Sequence, residues 1–163
     1  MVIGIQTQVK VYLCEDHVDV AGTLLKLRDN AKSLGVTIDH ELSFDRHINL
    51  VCRACNCHLW SLRHIQKYLT IGMENTITCS VVGARLDYCN SILYKTTKAN
   101  ITKLQGVQNS LARVVLQMPR RTHVDDLYAQ LHWLPVSYCI EYKIALITYI
   151  AIKFGQPRYL ADL

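Results

Sequence analysis

The chain has 163 residues, half of them hydrophobic and 19% charged, with a formal net charge of +5. That composition supplies enough apolar surface to order one globular domain and excludes an extended disordered protein. Seven cysteines, odd in number and irregularly spaced, fit a reducing compartment (cytosol or nucleus) better than a disulfide framework.

Residues 144–152 are apolar but bounded by Lys143 and Lys153, far short of the roughly 20 residues that span a bilayer, so no membrane contact is expected. The first residues carry no basic region before an apolar run and read as structure, not as a secretion signal. Charge is unevenly distributed: residues 1–42 sum to −2, 43–94 to +2, 95–121 to +6 and 122–163 to −1. Within 95–121, Lys95, Lys98, Lys103, Arg113, Arg120 and Arg121 occur without any Asp or Glu, a segment that would attract a polyanion.

In chain order, residues 1–42 read as short strands. Val9, Val11 and Leu13 alternate with polar neighbours, and Leu34, Val36 and Ile38 do so around Gly35. From Ser43 the period changes. Phe44, Ile48, Val51, Cys55, Leu59, Leu62, Ile65 and Leu69 recur every three or four residues, which predicts a long amphipathic helix with Ser43 as N-cap and Asp45 in its first turn. Opposite that stripe fall Arg46, Arg53, Trp60, Arg63 and Lys67. A second helix is predicted over residues 73–93 and a third over 100–118, stopped by Pro119. A last helix, Val136–Phe154, comes after Pro135 and ends at Gly155. Being apolar nearly all round, it is expected to be the most buried. The fold class is therefore α+β, mainly α: a short β remnant (1–42) followed by a helical bundle (43–163).

Cys52, Cys55, Cys57 and His58 form CxxCxCH, residue types that suit zinc. All four lie within one helix, though, and no second ligand pair follows, so structural cysteines are the expectation and no metal site is assigned. The acidic pair Asp125–Asp126 comes after basic residues and opens a short amphipathic segment, a setting for dipole complementation and not for catalytic metals. Glu15 and Asp16 beside His17 read as a solvated turn. Phosphate-loop, nucleophile-elbow and zincin motifs are all missing, and no catalytic residue is assigned. The basic, aromatic-interleaved surface remains. It could neutralise phosphates while Trp60 stacks on a base, or it could be merely a solvated helix face.

Several strings in order, KSLGVTID (32–39), LSFDRHI (42–48), RLDYCNSILY (85–94), LQGVQNSLARVV (104–115), LHWLPVSYCIEYKI (131–144) and PRYLADL (157–163), resemble the C-terminal end of non-LTR retrotransposon reverse transcriptases of the jockey-like kind. MVIG and HVDVAG match more weakly. The resemblance implies the end of a palm, with Leu34, Gly35 and Val36 as a primer-grip-like strand, followed by a thumb and downstream region. It implies that Asp87, Tyr88, Cys89 and Asn90 form a structural helix-packing corner. It also implies that the family's magnesium-binding carboxylates lie before the matched part, leaving this chain without a cofactor and inactive in nucleotide addition. The expected function is sequence-independent binding of an RNA/DNA or DNA duplex through Arg46, Arg53, Trp60, Arg63, Lys67, Lys95, Lys98, Lys103, Arg113, Arg120 and Arg121. The rival is a helical interaction module that associates with proteins, or with itself, through bare apolar helix faces.

Overall fold

A computed structural model describes residues 17–26 and 28–162. The alternation at Val9, Val11 and Leu13, the MVIG match and the Glu15–Asp16 pair lie outside them. The first described elements are two antiparallel hairpins, β1 (His17–Val20) with β2 (Thr23–Lys26), and β3 (Asn30–Ser33) with β4 (Val36–Asp39). Each closes through a two-residue turn ending in glycine. Val20 pairs with Thr23 across Ala21–Gly22, and Ser33 pairs with Val36 across Leu34–Gly35. All four turn residues have positive φ, the geometry of the twisted two-residue hairpin turn, which glycine adopts freely. The alternation around Gly35 is thus two strands meeting at a turn. Leu34 and Gly35 lie in the turn, and of the expected grip strand only Val36 is in a strand.

The helices, in chain order, are α1 (Asp45–Ile65), α2 (Ile71–Thr78), α3 (Ala84–Asp87), α4 (Lys98–Val115), α5 (Val124–Leu131), α6 (Val136–Phe154) and α7 (Arg158–Ala161). By packing the chain divides into residues 1–50 and 51–163, the division falling inside α1. The fold is mainly helical α+β, as its periodicities require.

Entry into α1 differs from the expected Ser43 cap. The Ser43 hydroxyl does accept from the N–H of Asp45 (3.3 Å), but the chain is anchored by Asp39 at the end of β4. Its carboxylate accepts from the N–H groups of Ser43 (2.8 Å) and Phe44 (2.7 Å) and from the Ser43 hydroxyl (3.1 Å). Burial pushes the Asp39 pKa up, yet these bonds bring it below its ordinary value. His47 is buried, which lowers its pKa, and its Nδ1 accepts from the N–H of Thr37 at 3.3 Å.

In the second unit, Cys55, Leu59 and Leu62 of α1 pack with Val82 and with Val107, Leu111 and Val114 of α4. Ala112 and Leu116 form a second cluster with Leu127 and Tyr128 of α5, and Trp133 packs against both. The predicted stripe of α1 therefore holds from Ile48 through Leu62, whereas Phe44, expected to begin it, precedes the helix in a left-handed conformation (φ 60). Ile65, the last α-helical residue, is exposed because the backbone tightens into a 3₁₀ turn at Gln66–Tyr68. The predicted second helix is likewise interrupted. A π-helical segment, Cys79–Gly83, separates α2 from α3, and Cys89 in a left-handed conformation turns the chain. Asp87 to Asn90 thus sit at a corner, with the buried Asn90 amide donating to Asp87 (3.4 Å).

Polar side chains of α4 tie down the elements C-terminal to it. Gln105 and Gln108 reach the start of α6: the Gln105 carbonyl accepts from the N–H of Val136 (3.0 Å), and the Gln108 amide donates to the carbonyl of Leu134 (2.9 Å). The Gln105 amide also donates to the Tyr128 hydroxyl (2.6 Å), which in turn donates to Asn109. Burial first, with the weaker opposing effect of Gln105, pushes the Tyr128 pKa up to about 12.

One expectation fails outright. α6 is not the most buried helix: only Val136, Ile140 and Ala151 are buried along it. It is capped at Gly155 as expected (φ 61), but much of its apolar surface faces outward because its packing is mainly against α4, residues 90–93 and the short α7.

Glu74 of α2 is fully buried, and neither carboxylate oxygen has a partner in bonding geometry among the described residues. Burial raises its pKa, and the nearby Gln117 amide offsets only part of that. A raised folded pKa contributes stability that is complete below the unfolded value of about 4.5 and is lost as pH rises through the folded value. Glu74→Gln is therefore expected to raise the melting temperature at pH 7, with the difference from wild type shrinking toward pH 4. Calorimetry showing Gln less stable than wild type at pH 7 would contradict this.

Candidate nucleic-acid interface

Amphipathic periodicity turns the apolar side of α1 toward α4, so the opposite side must face water. Arg46, Arg53, Trp60, Arg63 and Lys67 are all exposed. Trp60 is 64% exposed, and its ring lies 4.0 Å from that of His64, which bonds back to the Trp60 carbonyl. The indole face is thus held on the surface by a neighbour one turn along, not buried under another helix.

The C-terminal ends of α1 and α4 lie side by side, joined where the Gln66 amide donates to the carbonyl of Val114 at 2.9 Å. Between them opens a groove of about 810 Å³ lined by Arg63, Gln66, Lys67, Ser110, Arg113, Val114, Gln117, Met118 and Arg120. Four of these are cations, and none is acidic. Arg63 and Lys67 come from the predicted basic face, and Arg113 and Arg120 come from the predicted acid-free segment. Packing therefore brings together two stretches some 50 residues apart in sequence.

Arg113 is the best fixed of the four. Its guanidinium donates to the carbonyls of Asn109 and Thr122, both at 3.3 Å, while its buried Nε has no partner among the described residues. Carbonyls do not neutralise the charge, so the groove remains positive while one of its cations is positioned in advance.

The other expected residues do not join the groove. Arg53 and Trp60 lie further up α1. Lys95 sits in a left-handed turn with its ammonium 5.5 Å from the centre of the Tyr94 ring, and Lys98 opens α4. Lys103 is near enough to Cys52 to act on its thiol electrostatically. Arg121 is exposed but outside the lining, and Arg46 belongs to the first unit. Leu34 is exposed and Val36 buried. Sequence reasoning misses Gln66, Ser110 and Gln117. Each stands three or four residues from a groove cation, the one sequence signal that could have found them.

The CxxCxCH cluster is dispersed around α1: Cys55 is buried, Cys52 half-buried and Cys57 exposed. No group of three or more His, Cys, Asp or Glu side chains able to hold a metal exists among the described residues. Asp125 and Asp126 are exposed in the first turn of α5, where the helix dipole favours them.

No protein-family model and no solved structure matches the chain. Over 118 residues, 71% of its length, it is 24% identical to the probable RNA-directed DNA polymerase from transposon BS of Drosophila melanogaster. The match covers 13% of that protein, so the chain spans only a small part of the curated relative's length. The likeness supports a distant reverse-transcriptase relationship.

Burial, with Cys52 adding to it and Arg85 opposing, pushes the Cys55 thiol up to about 11. Iodoacetamide at pH 8 is expected to alkylate Cys57 in the folded chain and to spare Cys55 until denaturant is added. Equal labelling of both, read by peptide mass spectrometry, would contradict the placement of Cys55 in the core.

Proposed function

We propose that the chain corresponds to the C-terminal end of a jockey-like non-LTR retrotransposon reverse transcriptase, the last of the palm followed by the thumb, and that it holds a template–primer duplex without reading its sequence. The observation that carries this reading is the acid-free groove between α1 and α4. Four cations line one concavity with no carboxylate among its lining residues, the charge that phosphate oxygens seek.

The physical mechanism is neutralisation of backbone phosphates with release of condensed counterions. Affinity of this kind is indifferent to sequence and falls steeply with salt. Arg113, pinned by two carbonyls, loses little freedom on binding, whereas Arg63, Lys67 and Arg120 adapt to the backbone from the rim. Trp60, about one turn before Arg63 on the same exposed side of α1, adds a flat apolar surface for an unpaired base or a sugar. The hairpin turn at Leu34–Gly35 would serve as the primer-grip-like contact. Its exposed Leu34 and its glycine without Cβ permit close approach of a strand's backbone.

Charge reversal of groove cations tests the assignment. The triple variant Arg63→Glu, Lys67→Glu, Arg120→Glu is expected to weaken binding of a labelled RNA/DNA hybrid by at least about 100-fold at 100 mM salt, with the circular-dichroism melt unchanged. Arg113 is left intact because its carbonyl bonds also serve the fold. Unchanged affinity in a folded triple variant would remove the groove from the reading.

A further inference from the structure

α6 carries a surface that the groove does not use. Tyr138, Tyr142, Ala145, Tyr149 and Ile152 follow one another at spacings of four, three, four and three residues. At about 100° per residue they fall within a narrow arc, the seam by which one helix packs lengthwise on another. All five are exposed, Tyr138 by 58%, Tyr142 by 59%, Tyr149 by 54% and Ile152 by 81%. A helix apolar nearly all round normally lies inside a protein, and here more than half of its seam is bare.

We propose that this seam is a homodimer interface in which α6 packs antiparallel on α6 of a second copy. The seam is self-complementary about its middle. With Ala145 at the two-fold axis, Tyr138 lies opposite the second copy's Ile152, and Tyr142 lies beside its Tyr149. The one small side chain sits where the two backbones must approach most closely. No charged residue stands on the seam. Of the flanking charges, Glu141 comes level with Tyr149, Lys143 with Ile147 and Lys153 with Ser137 in this register, so no like charges meet. Antiparallel packing also opposes the two helix dipoles.

The area suffices. Each large seam side chain leaves on the order of 100 Å² exposed, so four on each copy, with their flanks, bury about 1,000 Å² in total, the lower bound of a specific interface. A bilayer is the poorer match. Residues 124–154 are long and apolar enough to cross one by composition, but the left-handed His132 breaks them between α5 and α6, and α6 keeps Glu141, Lys143 and Lys153. A seam rich in tyrosine, with one polar atom at the rim of each ring, suits a protein partner.

Sedimentation equilibrium of the full chain at 0.5 M salt without nucleic acid tests the proposal, since apolar pairing persists where phosphate binding is suppressed. A dimer of twice the 18.6 kDa chain mass is expected at 50 μM. The double variant Tyr142→Ser, Tyr149→Ser is expected to raise the dimer dissociation constant by at least 30-fold. Tyr159→Ser, which removes a still more exposed ring outside α6, should leave it within about twofold. A wild-type monomer at 50 μM overturns the proposal, as does a dimer indifferent to the double variant. A monomer that co-sediments with phosphatidylcholine–phosphatidylserine vesicles overturns it in favour of a membrane surface. The wild-type mass alone decides if the double variant does not fold.

Discussion

The second unit rests on α4 acting as a two-sided strut. One side supplies Val107, Leu111 and Val114 to the core shared with α1. The other supplies Gln105, Gln108 and Asn109, whose hydrogen bonds reach α5 and the first residues of α6. Buried amides are costly unless matched, so those bonds dictate where the chain must run after Pro119. That path places Arg120 across from Arg63 and lets the carbonyl of Thr122 hold the Arg113 guanidinium. The apolar core shared by α1 and α4 and these polar ties together hold the elements that line the positive groove.

The same strut explains two strings that carry the family resemblance. In LQGVQNSLARVV the apolar positions make the core, and Gln105, Gln108 and Asn109 make the ties. In LHWLPVSYCIEYKI, Trp133 packs against both apolar clusters, Leu134 and Val136 receive the ties, and Pro135 opens the helix. These strings describe architecture. The chemistry attributed to the chain rests instead on Arg63, Lys67, Arg113 and Arg120, whose exposed or half-exposed heads face a common concavity.

Much of this was legible in the sequence because helical periodicity is local. The core stripe of α1, the course of α4 and the exposure of Trp60 follow from residues three and four apart, whereas α4 ends at Val115 and the left-handed Gln117 turns the chain before Pro119 is reached. Features that depend on distant partners were not legible. Asp39 anchors the entry to α1 from the end of β4, and no spacing within the helix announces it. The π-helical segment at Cys79–Gly83 preserves apolar content while shifting its phase, so residues 73–93 read as one helix. For α6 composition misleads, because it reports what a helix would bury, not what is present to bury it against. The two halves of the groove are each visible as charge, but their meeting depends on Gln66 reaching Val114, 48 residues away.

The central claim is that the groove binds a nucleic-acid backbone by charge neutralisation, and the salt dependence of the wild-type chain tests it most directly. Plotting the logarithm of the association constant for a blunt RNA/DNA hybrid against that of the salt concentration is expected to give a straight line of slope about −3 to −4, one step for each groove cation, unchanged when the duplex sequence is scrambled. A slope near zero, or binding that survives high salt or depends on sequence, would contradict it.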